Sequence, residues 1–402
     1  MTPPMANAAS STLSVFLAFL RLGLTSFGGP IAHIGYFREE FVVRRRWLEE
    51  RTFTDLVALC QFLPGPASSQ VGMAIGLSRA GYGGAMAAWV GFTLPSAVVL
   101  ILFALGLSQH AQWIPSGALH GLKVVAVAVV AQAVWGMARN MCPDAPRITL
   151  MLGAAVAALM SASAWTQVGI ILLTGAVGAI LFRPAQSNGH EALRIPISAR
   201  TGALWLAAFV ALLLILPVLA SLTANPVLTR IDAFYRTGSL VFGGGHVVLP
   251  LLQAEVVEPG WVSNETFLAG YGATQAVPGP LFSFAAFLGA SMQSGPTGWG
   301  GGLLYLLAVF LPSFLLIAGA LPFWERLRRY RRAQAGMLGV NAGVVGLLLA
   351  ALYQPVWTSA ILDTGDFILA LLALAALQWW KLPAWLVVCA TAVSGAVMQA
   401  SN

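Results

Sequence analysis

Two proline-glycine-proline segments interrupt apolar stretches of the chain, and their residue types could seat an anion. The first is Pro64-Gly65-Pro66 and the second is Pro278-Gly279-Pro280. Proline blocks the continuation of a helix and removes an amide donor, whereas glycine allows positive φ and a close approach. A helix that restarts after each break offers free amide groups and the positive end of its dipole, which together attract anions.

Neutral hydrogen-bonding side chains stand on both sides of these breaks. Gln61 and Gln275 precede the first proline of each segment by three residues, Ser68 and Ser69 follow the first break, and Ser283 follows the second. A kinked helix packed on its neighbour is the alternative interpretation of either segment alone. Two copies at matched positions favour an anion site built from helix N-termini and uncharged donors.

A second pair of breaks consists of glycine runs, Phe27-Gly28-Gly29-Pro30 and Phe242-Gly243-Gly244-Gly245. Consecutive glycines lower helix propensity, so their place in an apolar stretch needs a reason. Close packing of helices is one reason, and an unwound segment lining a cavity is the other. Four glycines are therefore further binding candidates, namely Gly28, Gly29, Gly243 and Gly244.

Two arginines lie inside the apolar stretches that lead into the glycine runs. Arg21 and Arg236 each precede the phenylalanine of a run by six residues. Ionisable groups within spans usually serve function, while snorkelling of the side chain to the interface is the alternative. The repeated offset favours a functional role, above all for Arg21.

Four other titratable residues are candidates for coupling transport to an ion. His33 and His246 follow the glycine runs and could carry protons, although a hydrogen-bonded structural role is as good an interpretation. Glu40 and Asp55 are candidate coupling carboxylates, with helix capping or a loop ion pair as the alternative.

Signatures of enzymatic or metal chemistry do not occur in the sequence. It contains no GxSxG, Walker A or HExxH motif, and its three cysteines are scattered without a CxxC pair. No enzyme activity, cofactor or metal site is expected. The formal net charge of +7 comes mostly from arginines in short loops, which the positive-inside rule explains without a nucleic-acid partner.

Membrane helices must position these residues. The chain of 402 residues is 58% hydrophobic and only 9% charged, with a mean hydropathy of +0.81, which is too apolar for a soluble domain. Stretches of roughly 20 apolar residues predict about ten to thirteen membrane elements. Pairs of short helices are expected over 148–182 and 367–398. The amino terminus lacks the pattern of a cleaved signal, so the first apolar stretch is expected to remain as a helix.

An internal repeat organises the chain. RLGLTSFGG at 21–29 matches RTGSLVFGG at 236–244, QFLPGP at 61–66 matches QAVPGP at 275–280, and LPS occurs at both 94–96 and 311–313. The repeat predicts two homologous halves, 1–183 and 230–402. They flank a linker, 184–229, with one further candidate helix.

Arginine placement predicts that the halves are inverted relative to each other. Five arginines lie between positions 38 and 51, and the equivalent loop of half two has none; five others lie between positions 326 and 332. Because cytoplasmic loops collect basic residues, equivalent loops face opposite sides, as in carriers that expose one site alternately. Arg79 further predicts that residues 54–78 form a broken or re-entrant element and not a clean span. A full helix over 201–222 would add one membrane crossing between the halves and so give them the same orientation. The sequence leaves the number of crossings in the linker open.

Paired FGG and PGP motifs in a duplicated polytopic protein resemble the chromate ion transporter family in its long, two-domain form. The matching residues are Phe27 to Pro30, Pro64 to Pro66 and Pro278 to Pro280, with Gly245 where half one has Pro30. The resemblance implies a multi-pass carrier of the bacterial inner membrane that exports chromate and confers chromate resistance. Sulfate is the close structural analogue.

The residues and the resemblance together predict an all-α polytopic secondary transporter that holds a tetrahedral dianion near the midplane of the bilayer. Sulfate uptake through the same site is the first alternative, and a non-transporting membrane protein is an alternative from another class. The coupling ion, the stoichiometry, an antiport mechanism and a homodimeric state are left open.

Overall fold

The computed structural model describes residues 11–109, 115–161, 163–183, 197–242, 245–324 and 330–401. Every regular element within these ranges is helical, as the composition predicts. Five helices among them are long and apolar enough to cross a membrane: Ala67–Gln109, Ser116–Met141, Ala199–Thr223, Gly298–Phe323 and Arg331–Ala360.

Half one contains seven helices within the described residues. They are α1 (Thr12–Thr25), α2 (Gly29–Arg38), α3 (Glu50–Phe62), α4 (Ala67–Gln109), α5 (Ser116–Met141), α6 (Ala145–Met160) and α7 (Ala164–Leu181). Helix α4 consists of two arms, because Ala80 and Gly81 have non-helical backbone angles. The pair α6 and α7 confirms the two short helices predicted over 148–182.

The linker and half two follow the same plan. The linker holds α8 (Ala199–Thr223), and half two holds α9 (Pro226–Leu240), α10 (Val248–Val256), α11 (Asn264–Thr274), α12 (Phe284–Ala290), α13 (Gly298–Ala320), α14 (Arg331–Ala351), α15 (Thr364–Gln378) and α16 (Ala384–Ser401). Each helix of half one thus has a counterpart, with α12 and α13 matching the two arms of α4. The apolar side chains of α8 are largely exposed, among them Leu204, Leu214 and Leu222, which gives lipid a surface to cover.

The glycine runs end α1 and α9, and the short helices α2 and α10 follow them. A π-type turn, Glu39–Arg44, continues α2, and it accommodates one more residue than half two has at this place. Beyond the turn the backbone pattern is the same in both halves. The amides of Trp47 and Trp261 donate to the carbonyls of Phe41 and Val256, at 2.7 and 3.0 Å. This register makes Glu40 and Glu255 equivalent positions.

Both PGP elements are broken and return to the level at which they began. The guanidinium of Arg79, at the end of the first arm of α4, lies 5.4 Å from the ring of Trp47, which precedes α3. In half two the amide of Gln293, beyond α12, donates to the carbonyl of Trp261, which precedes α11, at 3.2 Å. The prediction of broken or re-entrant PGP helices is therefore confirmed.

Candidate functional site

The PGP break of half one rests on the glycine run of half two. The amide of Gly65 donates to the carbonyl of Val241, the residue before Phe242, at 2.6 Å. Gly65 has a φ of 117°, and a Cβ placed on it would lie 2.5 Å from Oγ of Ser313. This position requires glycine because of both its backbone conformation and its close approach to α13.

The PGP break of half two makes the reciprocal contact with half one. The amide of Gly279 donates to the carbonyl of Ser26 at 3.0 Å, and a Cβ on Gly279 would lie 2.9 Å from Oγ of Ser96. Ser26 corresponds to Val241 in the repeat, and Ser96 corresponds to Ser313. The two glycine amides therefore join the halves, and donors for an anion must come from neighbouring groups.

Those neighbouring groups differ between the two breaks. Helix α4 begins at Ala67, directly after the break, so the amides of its first turn have no acceptor within the helix. Oγ of the buried Ser69 has no partner among the described residues. The equivalent Ser283 donates its hydroxyl to the carbonyl of Pro280 at 2.6 Å. Among the described residues an unpaired donor therefore remains beside each break, the hydroxyl of Ser69 in half one and Nε2 of Gln275 in half two.

Gln70 crosses the first break. Its Nε2 donates to the carbonyl of Pro64 at 2.6 Å and lies 3.5 Å from Oγ of Ser313. Its Oε1 is buried without a partner in the described part of the chain. The side chain therefore holds the unwound segment in shape.

A cavity of about 620 Å³ lies between the halves beside these breaks. Half one contributes Gly28, Gln61 and Gly65, and half two contributes Gly245 and His246. The other polar side chains of its wall are Gln132, Asn140, Asn341 and Gln378. A second pocket of about 90 Å³ shares part of this wall and reaches Gly29, Gln275 and Gly279.

The wall of both spaces is neutral. Among the described residues that line them there is no Lys, Arg, Asp or Glu. Gln61 is exposed to the larger cavity, whereas its counterpart Gln275 is half-buried and reaches only the smaller pocket. Access to the two equivalent breaks is therefore unequal.

His246 lines both spaces. Its Nδ1 lies 2.8 Å from Oη of Tyr271 on α11, and a Cβ on Gly29 would lie 3.9 Å from its Nε2. The ring therefore bridges the glycine run of half one and the second PGP element.

His33 is buried behind the wall and does not line either space. Its Nδ1 lies 3.3 Å from Oγ of Ser68, and its ring meets Phe92 edge-on at 5.2 Å. Half two has Val248 and Phe282 at the positions equivalent to His33 and Ser68. The two histidines thus occupy different places in the repeat, and this buried polar group belongs to half one alone.

The predicted binding residues fall into three groups in the structure. Six line the cavity or the pocket, namely Gly28, Gly29, Gln61, Gly65, Gln275 and Gly279, and the coupling candidate His246 lines both spaces. The prolines of both breaks and Ser68, Ser69 and Ser283 belong to the backbone turns behind the wall. Gly243 and Gly244 lie outside the described residues.

Four amide side chains of the cavity wall were not predicted, namely Gln132, Asn140, Asn341 and Gln378. Gln132 donates to the carbonyl of Leu377 at 3.1 Å, and Oδ1 of Asn341 is buried without a partner among the described residues. A polar amide in a long apolar stretch was the available signal, since lipid does not satisfy such a group.

The arginine candidate of half two, Arg236, belongs to a buried cluster outside the cavity. Nη2 of Arg236 on α9 lies 2.9 Å from Oε2 of Glu255 on α10 and 3.2 Å from Oδ2 of Asp232. Its guanidinium also lies 5.2 Å from the ring of Trp165. Arg236 therefore joins the two helices on either side of the second glycine run.

The equivalent residues of half one are arranged differently. Arg21 is exposed, and the buried Glu40 accepts a hydrogen bond from Nε of Arg45 at 2.7 Å. Asp55 is buried on α3, before the first PGP break. Within the described residues, none of these three lines the cavity.

Two homologous helical halves that meet through broken helices around a shared cavity with amide side chains in its wall define a multi-pass membrane transporter. The chain belongs to the chromate transporter family, whose sequence model matches residues 13–181 and again residues 228–396. The double match agrees with the internal repeat and with the paired helices of the two halves.

Individual relatives have similar lengths or match one half. The chromate transport protein of Pseudomonas aeruginosa is 30% identical over 86% of this chain and 80% of its own length. That of Cupriavidus metallidurans is 26% identical over 98% and 97%. The uncharacterized transporter YwrA of Bacillus subtilis is 30% identical over 41% of this chain and 94% of its own length. No solved structure matches the chain.

Proposed function

We propose that this protein exports chromate across the bacterial inner membrane as a secondary transporter and thereby confers chromate resistance. The observation that carries the proposal is the neutral cavity where the PGP break of one half meets the glycine run of the other. Membership of the chromate transporter family supports the substrate, and the relatives named as chromate transport proteins support it further.

The cavity suits a tetrahedral oxyanion that must bind and then leave. At about 30 Å³ per water, a volume of about 620 Å³ holds roughly twenty waters, so a dianion can enter with part of its hydration shell. Donors are available from the amide side chains of the wall and from the first turn of α4, whose Ala67 lines the cavity. Because fixed lysine or arginine would hold a dianion tightly, a neutral wall favours passage over capture.

Inverted repeats would let the same site open to each face in turn. A difference between the halves supports this mechanism. The pair Arg236–Glu255 is closed across the second glycine run at 2.9 Å. The equivalent pair, Arg21 and Glu40, is open, because Arg21 is exposed and Glu40 is bonded to Arg45.

We infer that the two Arg–Glu pairs exchange states during transport. In the opposite conformation Arg21 would close on Glu40 across the first glycine run, and Arg236 would release Glu255. The space beside Gln61 in half one is wide, and the space beside Gln275 in half two is narrow. This difference agrees with an open Arg–Glu pair in half one and a closed pair in half two.

The test is radiolabelled chromate flux in vesicles that contain the purified protein, with an imposed pH gradient or membrane potential. Inside-out and right-side-out orientations separate export from uptake. Gln132→Leu should slow flux because it removes a polar group from the cavity. Gln167→Leu is the matched control, since Gln167 is a buried glutamine that bonds the carbonyl of Pro250 at 3.3 Å and lines neither space.

Three outcomes would change the proposal. Absence of chromate flux in either orientation would remove the transport function, and faster flux of sulfate than of chromate would favour the sulfate carrier. Equal effects of the two glutamine variants would remove the cavity from the pathway.

A further inference from the structure

A dianion in the cavity meets no fixed positive charge. The described residues that line the cavity and the adjoining pocket include no lysine or arginine, and His246 is the one side chain among them that can become cationic. Two negative charges placed beside a neutral wall favour uptake of a compensating positive charge nearby. The imidazole of His246 is in position to supply it.

Tyr271 fixes the orientation of that imidazole. Its side chain is fully buried, and its Oη lies 2.8 Å from Nδ1 of His246. With Nδ1 engaged, Nε2 is the nitrogen on the side of Gly29, where a Cβ would lie 3.9 Å away. Nε2 therefore faces the glycine run that borders both spaces.

The tyrosine hydroxyl suits either protonation state of the ring. When Tyr271 donates to Nδ1, the hydrogen of neutral His246 is on Nε2, the nitrogen on the side of Gly29. When the ring takes up a proton, both nitrogens donate, and the hydroxyl rotates to accept from Nδ1. The same contact thus supports the neutral and the cationic imidazole.

No charged side chain competes for this role on the described elements around the ring. Tyr271 on α11 is the titratable neighbour, α14 presents Asn341, α5 presents Gln132, and the glycine run of half one presents Gly28 and Gly29. The ion pair of Arg236 lies outside the cavity wall. Among the described residues that line the two spaces, His246 is therefore the group whose protonation would add a positive charge.

We propose that His246, oriented by Tyr271, takes up one proton from water when the oxyanion binds, so that anion and proton occupy the cavity together. This inference rests on the proposed function. The bound dianion and the imidazolium carry a net charge of −1, so each anion moves one negative charge instead of two. Tyr271 is a positioning residue in this scheme.

The experiment compares proton uptake on chromate binding between the wild-type protein and His246→Gln. Purified full-length protein is titrated with chromate at several pH values, in buffers of different ionisation enthalpy, and binding is followed in parallel by thermal stabilisation. Chromate itself gains a proton as the pH falls, and this contribution cancels in the difference between the two proteins. Glutamine keeps a polar side chain there but cannot become cationic.

We expect wild-type protein to take up about one more proton per chromate than His246→Gln, and its affinity to rise by up to about tenfold more per unit fall in pH. His33→Gln is the matched control, because His33 is buried behind the wall, and it should keep the wild-type dependence on pH. Tyr271→Phe should lower chromate affinity at every pH while retaining proton uptake.

The two proposals fail in different ways. Chromate binding with equal proton uptake in wild-type and His246→Gln protein would overturn the role of His246 and leave the transport site intact. Loss of the extra proton in His33→Gln and not in His246→Gln would overturn it as well. Absence of chromate binding in the wild-type protein would overturn the proposed function itself.

Discussion

Glu255→Gln and Arg21→Gln should shift the transporter in opposite directions if the two Arg–Glu pairs exchange states. Glu255→Gln weakens a contact that is present in the conformation described above, between α9 and α10. Arg21→Gln removes an arginine that is exposed in this conformation and would form its pair only in the opposite one. Arg21→Gln should therefore leave the stability of the present conformation unchanged and destabilise the opposite conformation.

The size of the shift follows from the contact. Oε2 of Glu255 and Nη2 of Arg236 are 2.9 Å apart, and their side chains are 12% and 15% exposed. A hydrogen bond between charged groups contributes about 1.5–3 kcal/mol. Arg236 keeps Asp232 as a partner at 3.2 Å, so we expect the lower part of this range. A loss of about 2 kcal/mol corresponds to a change of roughly 30-fold in the ratio of the two conformations.

Thiol labelling from each face of sealed vesicles measures that ratio. The reporters are Gln61→Cys and Gln275→Cys, placed at the two equivalent breaks. The background replaces the three native cysteines, of which Cys389 is exposed and Cys60 lines the cavity. Glu255→Gln should slow the labelling of Gln61→Cys and speed that of Gln275→Cys. Arg21→Gln should do the reverse.

The reasoning is refuted if both variants move labelling in the same direction or if neither moves it. A fall in thermal stability for Arg21→Gln as large as that for Glu255→Gln would also contradict it, since Arg21 would then have a structural partner in the present conformation.

Three further predictions concern the breaks and their ligand. Gly65→Ala should lower the melting temperature more than Gly81→Ala, because both glycines have positive φ but only at Gly65 would the new Cβ lie 2.5 Å from Oγ of Ser313, whereas at Gly81 it would meet open space. Equal losses by calorimetry would mean that backbone conformation alone matters. Gln70→Leu should destabilise the protein by about 1–3 kcal/mol, measured by thermal unfolding, because it leaves the carbonyl of Pro64 unpaired, and an unchanged unfolding curve would contradict the bridging role. Excess sulfate should slow chromate flux, because donors placed around a tetrahedral dianion distinguish charge and shape only, and undiminished flux would show that another property is recognised.

Local sequence was sufficient to predict the helices and the positions of their breaks. Proline and glycine at 64–66 and 278–280 predict helix breaks because they act on the backbone of their own segment, and the structure has unwound turns there. The duplication predicts two sets of equivalent helices, and each helix of half one has its counterpart. Gln61 and Gln275 were found because their distance from the prolines is a local property.

The pairing of the breaks could not be predicted. A repeat makes Ser26 equivalent to Val241, but equivalence does not tell whether Gly65 bonds its own half or the other one. The structure places Gly65 on Val241 and Gly279 on Ser26, so each break is completed by the opposite half. Gln132 and Asn341 escaped prediction for a related reason, since their helices face the cavity only after α5 and α14 have packed.

Arg21 and Arg236 show which properties the sequence determines and which depend on tertiary packing. Arg21 and Arg236 have the same type, the same offset and the same glutamate partner in the repeat, so sequence assigns them one role. In the structure one is exposed and the other is closed on Glu255. Residue type determines which contacts a helix can make, because charge and propensity belong to the segment. Which contact is made depends on the distance between helices, and only tertiary packing sets that distance.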